Sequence, residues 1–142
     1  MTCIVDASVA LKWFLAEEPH SAEALRLVQS REMMIGPDLV IAEVCNAAWR
    51  LLRLAQITRA QFDLIPIVLP RYFAELVGAV ALAPRAAVIA AALDHPIYDC
   101  FYLALAEARH VPLVTADARF LAKLPHSPWA PCAFHLVDYQ RN

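Results

Sequence analysis

The sequence contains very little glycine, with two residues in a chain of 142. It carries neither the G-x-G-x-x-G pattern nor a G-K-[ST] motif, in which glycines let backbone amides surround a phosphate. A glycine-rich phosphate-binding loop of either kind is therefore excluded. The G-x-S-x-G elbow and the H-E-x-x-H spacing are also absent, which removes two further classes of hydrolase.

Long uninterrupted hydrophobic runs are also missing. The most apolar region, 76–93, is broken by Pro84 and Arg85, so no run reaches the roughly 18 residues needed to span a bilayer. The N-terminus has no basic segment ahead of its first apolar residues, and we expect no signal peptide. With 12 basic and 14 acidic residues, the chain lacks the basic excess of proteins that bind nucleic acid mainly by charge.

The four cysteines are scattered and form no C-x-x-C pair. Three of them lie in apolar segments, so we expect reduced core thiols in a cytoplasmic protein. Hydrophobic residues, in contrast, are abundant at 61%, above the usual 45–50% or so. This surplus predicts a large core, a homodimer face or a groove for a partner. The length suits a single domain, 1–142.

Strand-like and helix-like segments alternate along the chain. Residues 77–82 are ambiguous, and Pro66 and Pro70 are expected to kink or split the helix that contains them. The alternation predicts an α/β fold, a three-layer α/β/α sandwich with a mostly parallel central sheet. Functional sites in such sheets form beyond the carboxyl ends of the strands. The predicted strands are 2–5, 33–35, 111–115 and 133–137, and the predicted helices are 8–16, 19–31, 38–55, 58–74, 84–93, 98–109 and a short one after Asp117.

Two aspartates follow predicted strands. Asp6 ends the first strand, and Asp117 comes shortly after the strand at 111–115. Either one is also a good helix N-cap, and capping alone explains each as well as a ligand role does. Ser8 and Thr115 each lie two residues from one of these aspartates and add hydroxyl oxygens near the same edge of the sheet.

Glu43 lies in the almost wholly apolar helix predicted at 38–55. At about 100° per residue, it shares one narrow polar stripe with Asn46, Arg50 and Arg53. The stripe is either an ordinary solvated face or the wall of a groove. In the second interpretation, Glu43 holds a cation and the two arginines contact phosphates.

Asp99 falls in the first turn of its predicted helix, where attraction to the helix dipole is a sufficient explanation. Four acids from four elements meeting at one sheet edge, however, would repel each other and need a cation. Oxygen ligands without thiolate or imidazole indicate Mg²⁺, with Mn²⁺ as the alternative ion. The five histidines show no metal-ligand spacing, and we expect them on the surface or in loops.

Three segments carry a resemblance to a known family: VDASVALKWF, PDLVIAEVCNAAWR and HPIYDCFYLALAEARHVPLVTADARF. In their order and character they resemble PIN-domain proteins, specifically VapC-type toxins of toxin–antitoxin pairs, from about residue 3 to about 124. The resemblance implies a PIN-like fold with supporting hydroxyls at Ser8 and Thr115 and a polar position at Asn46. Arg119 stands where some relatives carry a further acid, so a second metal would have one protein ligand fewer. The implied metal-binding and catalytic residues are Asp6, Glu43, Asp99 and Asp117.

The same resemblance implies an activity and partners. It implies a Mg²⁺-dependent endoribonuclease, in which a metal-activated water hydrolyses RNA phosphodiester bonds and leaves a 5′-phosphate and a 3′-hydroxyl. It further implies a homodimer and a small antitoxin protein whose C-terminal segment occupies a groove near the active site. The amphipathic helices at 19–31 and 58–74 are the candidate walls of that groove. We expect no membrane contact and a cytoplasmic location.

Three other functions compete with this interpretation. A phosphohydrolase of the haloacid-dehalogenase type needs D-x-D after the first strand, but Ser8 stands at the third position and no suitable downstream lysine is evident. A receiver-like signalling module needs adjacent acids near the start and a late lysine, and neither is present. A non-catalytic PIN-like domain that binds RNA or protein would keep the acids without metal-dependent cleavage.

Overall fold

Five short apolar segments form one sheet in the computed structural model, which describes residues 1–139. The strand order is β3-β2-β1-β4-β5, and all four pairs of neighbouring strands are parallel. The predicted α/β class with a mostly parallel central sheet is therefore confirmed. The strands are β1 Thr2–Val5, β2 Met33–Pro37, β3 Glu75–Val77, β4 Leu113–Thr115 and β5 Ala133–His135.

Eight α-helices connect or flank these strands within residues 1–139. Three short 3-10 turns, Leu11–Phe14, Leu69–Tyr72 and Ala130–Cys132, extend or join them. The helices are α1 Ala7–Ala10, α2 Ser21–Gln29, α3 Leu39–Arg53, α4 Arg59–Val68, α5 Ala79–Leu93, α6 Ile97–Arg109, α7 Ala118–Leu121 and α8 Leu136–Tyr139.

The central strand β1 is covered on both faces. Cys3, Ile4 and Val5 are all fully buried, although successive side chains of a strand point to opposite sides of the sheet. Ile4 pairs with Ile35 of β2 on one side and with Leu113 of β4 on the other. Layers of helices on both faces are what this burial requires.

Helix α6 packs against β1, β2 and β4, and α5 packs along α6. Two ion pairs tie α6 to its neighbours: Arg85 of α5 makes a bidentate contact with Glu107, and Arg109 makes one with Glu75 of β3. The last turns of α6 are thereby fastened to both an adjacent helix and an edge strand.

Several predicted boundaries differ from the structure. The helix predicted at 8–16 is a single α-turn continued by the 3-10 turn Leu11–Phe14, and the strand predicted at 133–137 ends at His135, where α8 begins. The predicted helix 58–74 begins as expected after Thr58, whose hydroxyl caps it, but ends at Val68 ahead of the 3-10 turn that contains Pro70. The ambiguous segment 77–82 divides between the end of β3 and the start of α5.

The predicted single domain 1–142 includes residues 140–142, which lie outside the described residues. Among residues 1–139, no single helix has both the length and the apolar composition needed to cross a membrane. Helices α5 and α6 meet both criteria only when taken together, and they are bent by 116° relative to each other.

Candidate active site

The carboxyl ends of β1 and β4 lie side by side where the strand order reverses. From β1 the chain continues to β2 and β3 on one side, whereas β4 and β5 lie on the other. This reversal opens a crevice in which parallel α/β sheets commonly bind ligands. Asp6 directly follows β1, and Asp117 lies two residues beyond β4, so the topology brings both to this β1–β4 crevice.

Asp6 is buried at the N-terminus of α1, with only 4% of its surface exposed. Its Oδ1 accepts hydrogen bonds from the Ser8 hydroxyl at 2.6 Å and from the Val9 amide at 3.2 Å, and its Oδ2 accepts one from the Thr115 hydroxyl. Burial raises the pKa of Asp6 to about 6, against the opposing effect of these hydrogen bonds, and the nearby charge of Asp99 raises it further. The aspartate therefore caps a helix and faces the crevice at the same time.

The two hydroxyls that bind Asp6 also join β1 to β4. Ser8 Oγ accepts a hydrogen bond of 2.9 Å from the Ala116 amide, and Thr115 Oγ1 accepts one of 3.0 Å from the Asp117 amide. Each hydroxyl thus donates to the carboxylate and accepts from the loop after β4. Thr115 is fully buried and Ser8 is partly buried, so at least the Thr115 hydroxyl holds this loop against Asp6 out of reach of water.

Glu43 enters the crevice from α3. Its Oε1 accepts a hydrogen bond of 2.8 Å from the phenol of Tyr102, a residue of α6 that is almost completely buried. Burial raises the pKa of Glu43 to about 7, and the charges of Asp99 and Asp6 raise it as well, whereas the Tyr102 hydrogen bond lowers it. The charges of Asp6 and Asp99 therefore act on this glutamate from two further elements.

Asp99 lies in the first turn of α6, as predicted. Its Oδ2 is 2.6 Å from Nε2 of His95, and the His95 ring lies against Phe120 with 5.1 Å between the ring centroids. Burial raises the pKa of Asp99, His95 opposes this rise, and the charge of Asp117 adds to it. The imidazole is thus held between the carboxylate and the ring of Phe120.

Asp117 caps the short helix α7. Its Oδ1 accepts hydrogen bonds of 3.0 Å from the backbone amides of Arg119 and Phe120. Since its charge also acts on Asp99, this residue combines the capping role with a position at the edge of the acidic cluster.

The four predicted acids therefore form one electrostatically coupled group, although they do not surround a single point. The charges of Asp6 and Asp99 raise the pKa of Glu43, and that of Asp117 raises the pKa of Asp99. Within residues 1–139, none of the ion pairs joins a lysine or arginine to any of the four. No three His, Cys, Asp or Glu side chains of the described residues lie close enough to hold one metal ion as they stand.

The chemistry of the donor set fits a hard divalent cation. Glu43 Oε2, Asp99 Oδ1 and Asp117 Oδ2 accept no hydrogen bond from residues 1–139, whereas their partner oxygens do. Carboxylate oxygens without a thiolate suit Mg²⁺ or Mn²⁺. Side-chain movements would have to bring these open oxygens together around such an ion.

The polar stripe of α3 continues from Glu43 along the outside of the molecule. Glu43, Asn46 and Arg50 line one open cavity of about 480 Å³, and Arg50 and Arg53 line a second of about 320 Å³. Asn46, Arg50 and Arg53 are exposed. The stripe is therefore exposed and borders the acidic cluster at one end.

Sequence analysis missed two residues of the site, Tyr102 and His95. His95 lies in the loop before α6, as predicted for the histidines, but it is largely buried against Asp99. The prediction that all histidines lie on the surface or in loops is wrong for His135, which is partly buried in β5. The spacing of four residues between His95 and Asp99 was the available signal. Tyr102 lies three residues after Asp99, on the same face of the helix.

Comparisons with known proteins identify the family. Residues 3–124 match the PIN domain family. The chain is 32% identical to Ribonuclease VapC1 of Mycobacterium tuberculosis over 141 residues, which cover 95% of this chain and 97% of the relative.

Two solved structures share the fold. The crystal structure of PAE2754 from Pyrobaculum aerophilum aligns with a TM-score of 0.67 and 22% identity, covering 100% of this chain and 91% of that one. A chain from a toxin-antitoxin complex of Klebsiella pneumoniae aligns with a TM-score of 0.62 and 16% identity, covering 87% of this chain and 92% of that one. At these identities, the likeness supports the fold alone.

Proposed function

The chain belongs to the PIN-domain family, and from this premise we propose that it is a Mg²⁺-dependent endoribonuclease and the toxin of a toxin–antitoxin pair. The observation that carries the proposal is the electrostatic coupling of four carboxylates from four elements at the β1–β4 crevice, without lysine or arginine counter-charges among residues 1–139. The ribonuclease named among the relatives supports the activity.

We propose Asp6, Glu43, Asp99 and Asp117 as the catalytic residues that hold the metal ion, with Mn²⁺ as an alternative to Mg²⁺. When bound, the ion supplies Lewis-acid polarisation of the scissile phosphate and lowers the pKa of an attacking water. Without a cation, the acidic crevice repels the phosphates of RNA. Binding of RNA at the crevice is therefore expected to depend on binding of the metal.

The side chains behind the carboxylates keep them in place. Ser8 and Thr115 restrict Asp6 through both of its oxygens. Partners of this kind orient ligands, and their loss typically reduces metal affinity or activity about 10- to 100-fold. We therefore propose Ser8 and Thr115 as supporting residues whose role is positional.

The helix α3 supplies groups suited to RNA. Arg50 and Arg53 are proposed to contact phosphates, since guanidinium groups bind phosphate oxygens in bidentate fashion. Asn46, one turn after Glu43, is proposed as a polar contact at the same groove. Hydrolysis by water needs no protein nucleophile, and the expected products carry a 5′-phosphate and a 3′-hydroxyl.

The proposed partners are the RNA substrate, a small antitoxin protein and a second copy of the chain. The antitoxin follows from the resemblance to toxins of toxin–antitoxin pairs, and one neighbour of the same fold comes from a toxin-antitoxin complex. The predicted groove walls, now α2 and α4, expose Leu25, Leu64 and Ile67 to solvent, which is surface that a partner would cover. We propose a cytoplasmic location because RNA substrates and the antitoxin are made there.

Membership of the PIN family leaves the haloacid-dehalogenase alternative with no support, and Ser8 hydrogen-bonds Asp6 where that mechanism needs a second acid. The non-catalytic PIN-like domain is the remaining alternative. It predicts RNA or protein binding without any metal-dependent cleavage.

The test is incubation of the purified protein with structured RNAs in Mg²⁺ and in EDTA, followed by analysis of the fragment ends. We expect cleavage in Mg²⁺ only, with 5′-phosphate ends, and its loss in Asp6→Asn and Asp99→Asn. Asp63→Asn is the matched control, since Asp63 is exposed on α4 and pairs with Arg59 outside the cluster. Thermal unfolding of each variant shows whether its fold is retained.

Three results would contradict the proposal. Cleavage that continues unchanged in EDTA would exclude the metal mechanism. Full activity of Asp6→Asn and Asp99→Asn would place catalysis elsewhere. Absence of cleavage by the wild-type protein, combined with retained RNA binding, would favour the non-catalytic domain.

A further inference from the structure

An open cavity borders the acidic cluster between α3 and the first turn of α6. Its volume of about 480 Å³ lies within the roughly 300–1,000 Å³ range of pockets that bind small planar ligands. Only one of its residues belongs to the carboxylate cluster, and proposed hydrolysis does not use most of the others. The cavity is lined by Ala42, Glu43, Asn46, Ala47, Arg50 and Tyr98.

Tyr98 is the aromatic wall of this cavity. The residue is 62% exposed, whereas Tyr102, one turn later on the same helix, is almost completely buried. Within residues 1–139, no other aromatic ring packs against Tyr98. Its ring is therefore available to a planar ligand, and it directly precedes the catalytic candidate Asp99 in the chain.

We propose that this cavity binds one nucleobase of single-stranded RNA, stacked on the ring of Tyr98, beside the scissile phosphate. The proposal rests on the proposed ribonuclease function and specifies how the substrate is held. Proteins that bind RNA single strands stack unpaired bases on exposed aromatic rings, because every base offers a flat face. In a duplex those faces are already stacked, so the cavity selects single-stranded segments.

The opposite wall of the cavity has the groups that a nucleotide needs. Asn46 offers both a donor and an acceptor to a base edge. Ala42 and Ala47 are small and leave space for a ring, and Arg50 provides a cation for the adjoining phosphate. Glu43, Asn46 and Arg50 thus follow one another along one face of α3. In the bound RNA, they would face the reacting phosphate, the base and the next phosphate, respectively.

The surface continues beyond Arg50 towards the end of α3. Arg50 also lines the second cavity with Arg53 and Leu54. The Arg53 guanidinium lies over the exposed ring of Trp49, 5.1 Å from its centroid. This arrangement gives the RNA backbone a path from the crevice along α3, with Tyr98 at the start of the path.

The test measures binding of fluorescein-labelled single-stranded oligoribonucleotides by anisotropy in Ca²⁺, a hard cation that carboxylates bind. A gel confirms that the oligoribonucleotides stay intact, so that the readout does not depend on cleavage. We expect Tyr98→Ala to weaken binding about 5- to 150-fold, since stacking of one base contributes roughly 1–3 kcal/mol. Tyr98→Phe keeps the ring and is expected to bind within about twofold of the wild type. Tyr98→Leu keeps apolar bulk without a π face and is expected to resemble Tyr98→Ala. Val80→Ala is the control, because Val80 is an exposed apolar residue of α5 outside both cavities.

A second arm identifies the bound nucleotide. In a series of oligonucleotides, a single abasic residue is moved from one position to the next. At one position, the abasic residue should weaken binding by the wild type but should not weaken binding by Tyr98→Ala any further. Equal affinity of Tyr98→Ala and wild type, or equal losses in the Ala and Phe variants, would overturn the proposal. If the wild type fails to cleave RNA in Mg²⁺ but its binding depends on Tyr98, the ribonuclease function fails and the base site stands. If cleavage is normal and binding does not depend on Tyr98, the base site fails and the ribonuclease function stands.

Discussion

The phenol of Tyr102 donates a hydrogen bond of 2.8 Å to Oε1 of Glu43, joining α6 to α3 across 59 positions of the chain. Tyr102 is almost completely buried, so the bond is shielded from water on the tyrosine side. Burial and the neighbouring carboxylates raise the pKa of Glu43 to about 7, and this hydrogen bond is the one effect that favours the charged form. The glutamate is therefore close to half-ionised at neutral pH.

Tyr102→Phe removes that hydrogen bond and keeps the ring. We expect the pKa of Glu43 to rise further and the acidic limb of the pH profile of kcat/KM to move to higher pH. Activity at pH 7 should fall about fivefold, because a rise of about one pKa unit from about 7 lowers the ionised fraction of Glu43 from about one half to about one tenth. Activity should recover at pH 9. Tyr139→Phe is the matched control, because Tyr139 donates to Glu32 away from the cluster. An equal loss of activity at pH 7 and pH 9 would show that Tyr102 does not act through ionisation of Glu43.

Thr115→Val removes the buried hydroxyl that donates to Asp6 and accepts from the Asp117 amide. The shape of the side chain is kept, but two polar groups lose a partner, which costs about 1–3 kcal/mol of unfolding free energy. Thr115→Ser retains the hydroxyl and should lose less. Urea unfolding at pH 7.5 gives both values. Equal stability of the two variants would mean that the hydroxyl contributes nothing to the fold.

The metal-free protein should lose stability as pH rises from about 4 to 7. The pKa of Asp6 is about 6 in the folded state and about 3.9 in an unfolded chain, so the folded state binds the proton more tightly. This contribution, at most about 2–3 kcal/mol, is complete below pH 4 and disappears as pH rises through 6. The raised pKa of Glu43 extends the loss to about pH 7. Thermal unfolding in EDTA across pH 5–8 measures it.

Two additions sharpen this measurement. Asp6→Asn should reduce the slope and be more stable than wild type at pH 8, whereas Asp63→Asn should keep the wild-type slope. Mg²⁺ added at pH 8 should restore stability, since a ligand that binds only the folded state stabilises it. A metal-free protein that becomes more stable from pH 5 to pH 8 would contradict the prediction that ionisation of the buried carboxylates destabilises the folded state.

His95→Ala should weaken metal binding without removing a proposed ligand. Nε2 of His95 contacts Asp99 at 2.6 Å, and loss of such a partner typically reduces metal affinity about 10- to 100-fold. His95→Gln keeps a nitrogen donor and should recover part of the affinity. His126→Asn is the control, since His126 has a left-handed backbone that asparagine tolerates. Calorimetric titration with Mn²⁺ gives the dissociation constants, and unchanged affinity in His95→Ala would exclude the positioning role.

The fold was predictable where local pattern and tertiary structure agree. The β-branched pair Ile4 and Val5 predicts β1, and the hydroxyl of Thr58 predicts the start of α4. The strand predicted at 133–137 is shorter, because α8 begins at Leu136, and an apolar Leu-Val pair fits either a strand or a buried helix. Periodicity alone cannot distinguish these two outcomes.

The meeting of Asp6 and Asp117 at one crevice was predictable because topology fixes where strand ends meet. Asp6 and Asp117 had to face the same edge once the sheet was parallel. The hydrogen-bond partners of Glu43 and Asp99 were not predictable in the same way. The Tyr102–Glu43 contact depends on the distance between α3 and α6, and the position of His95 depends on how the loop before α6 turns towards Phe120. Apart from the spacing of four residues between His95 and Asp99, the sequence does not indicate this distance or the direction of this loop.

The two ion pairs at the last turns of α6 restrict the tilt of this helix, and the tilt determines where its first turn lies. Glu107 is pinned to Arg85 eight residues beyond Asp99, a span of about 12 Å at 1.5 Å per residue. A tilt of about 5° at the pinned end would displace the Asp99 carboxylate by roughly 1 Å, an error large enough to slow catalysis severely. An exposed ion pair about two helical turns away thus limits how far α6 can tilt, and with it the position of the proposed ligand Asp99.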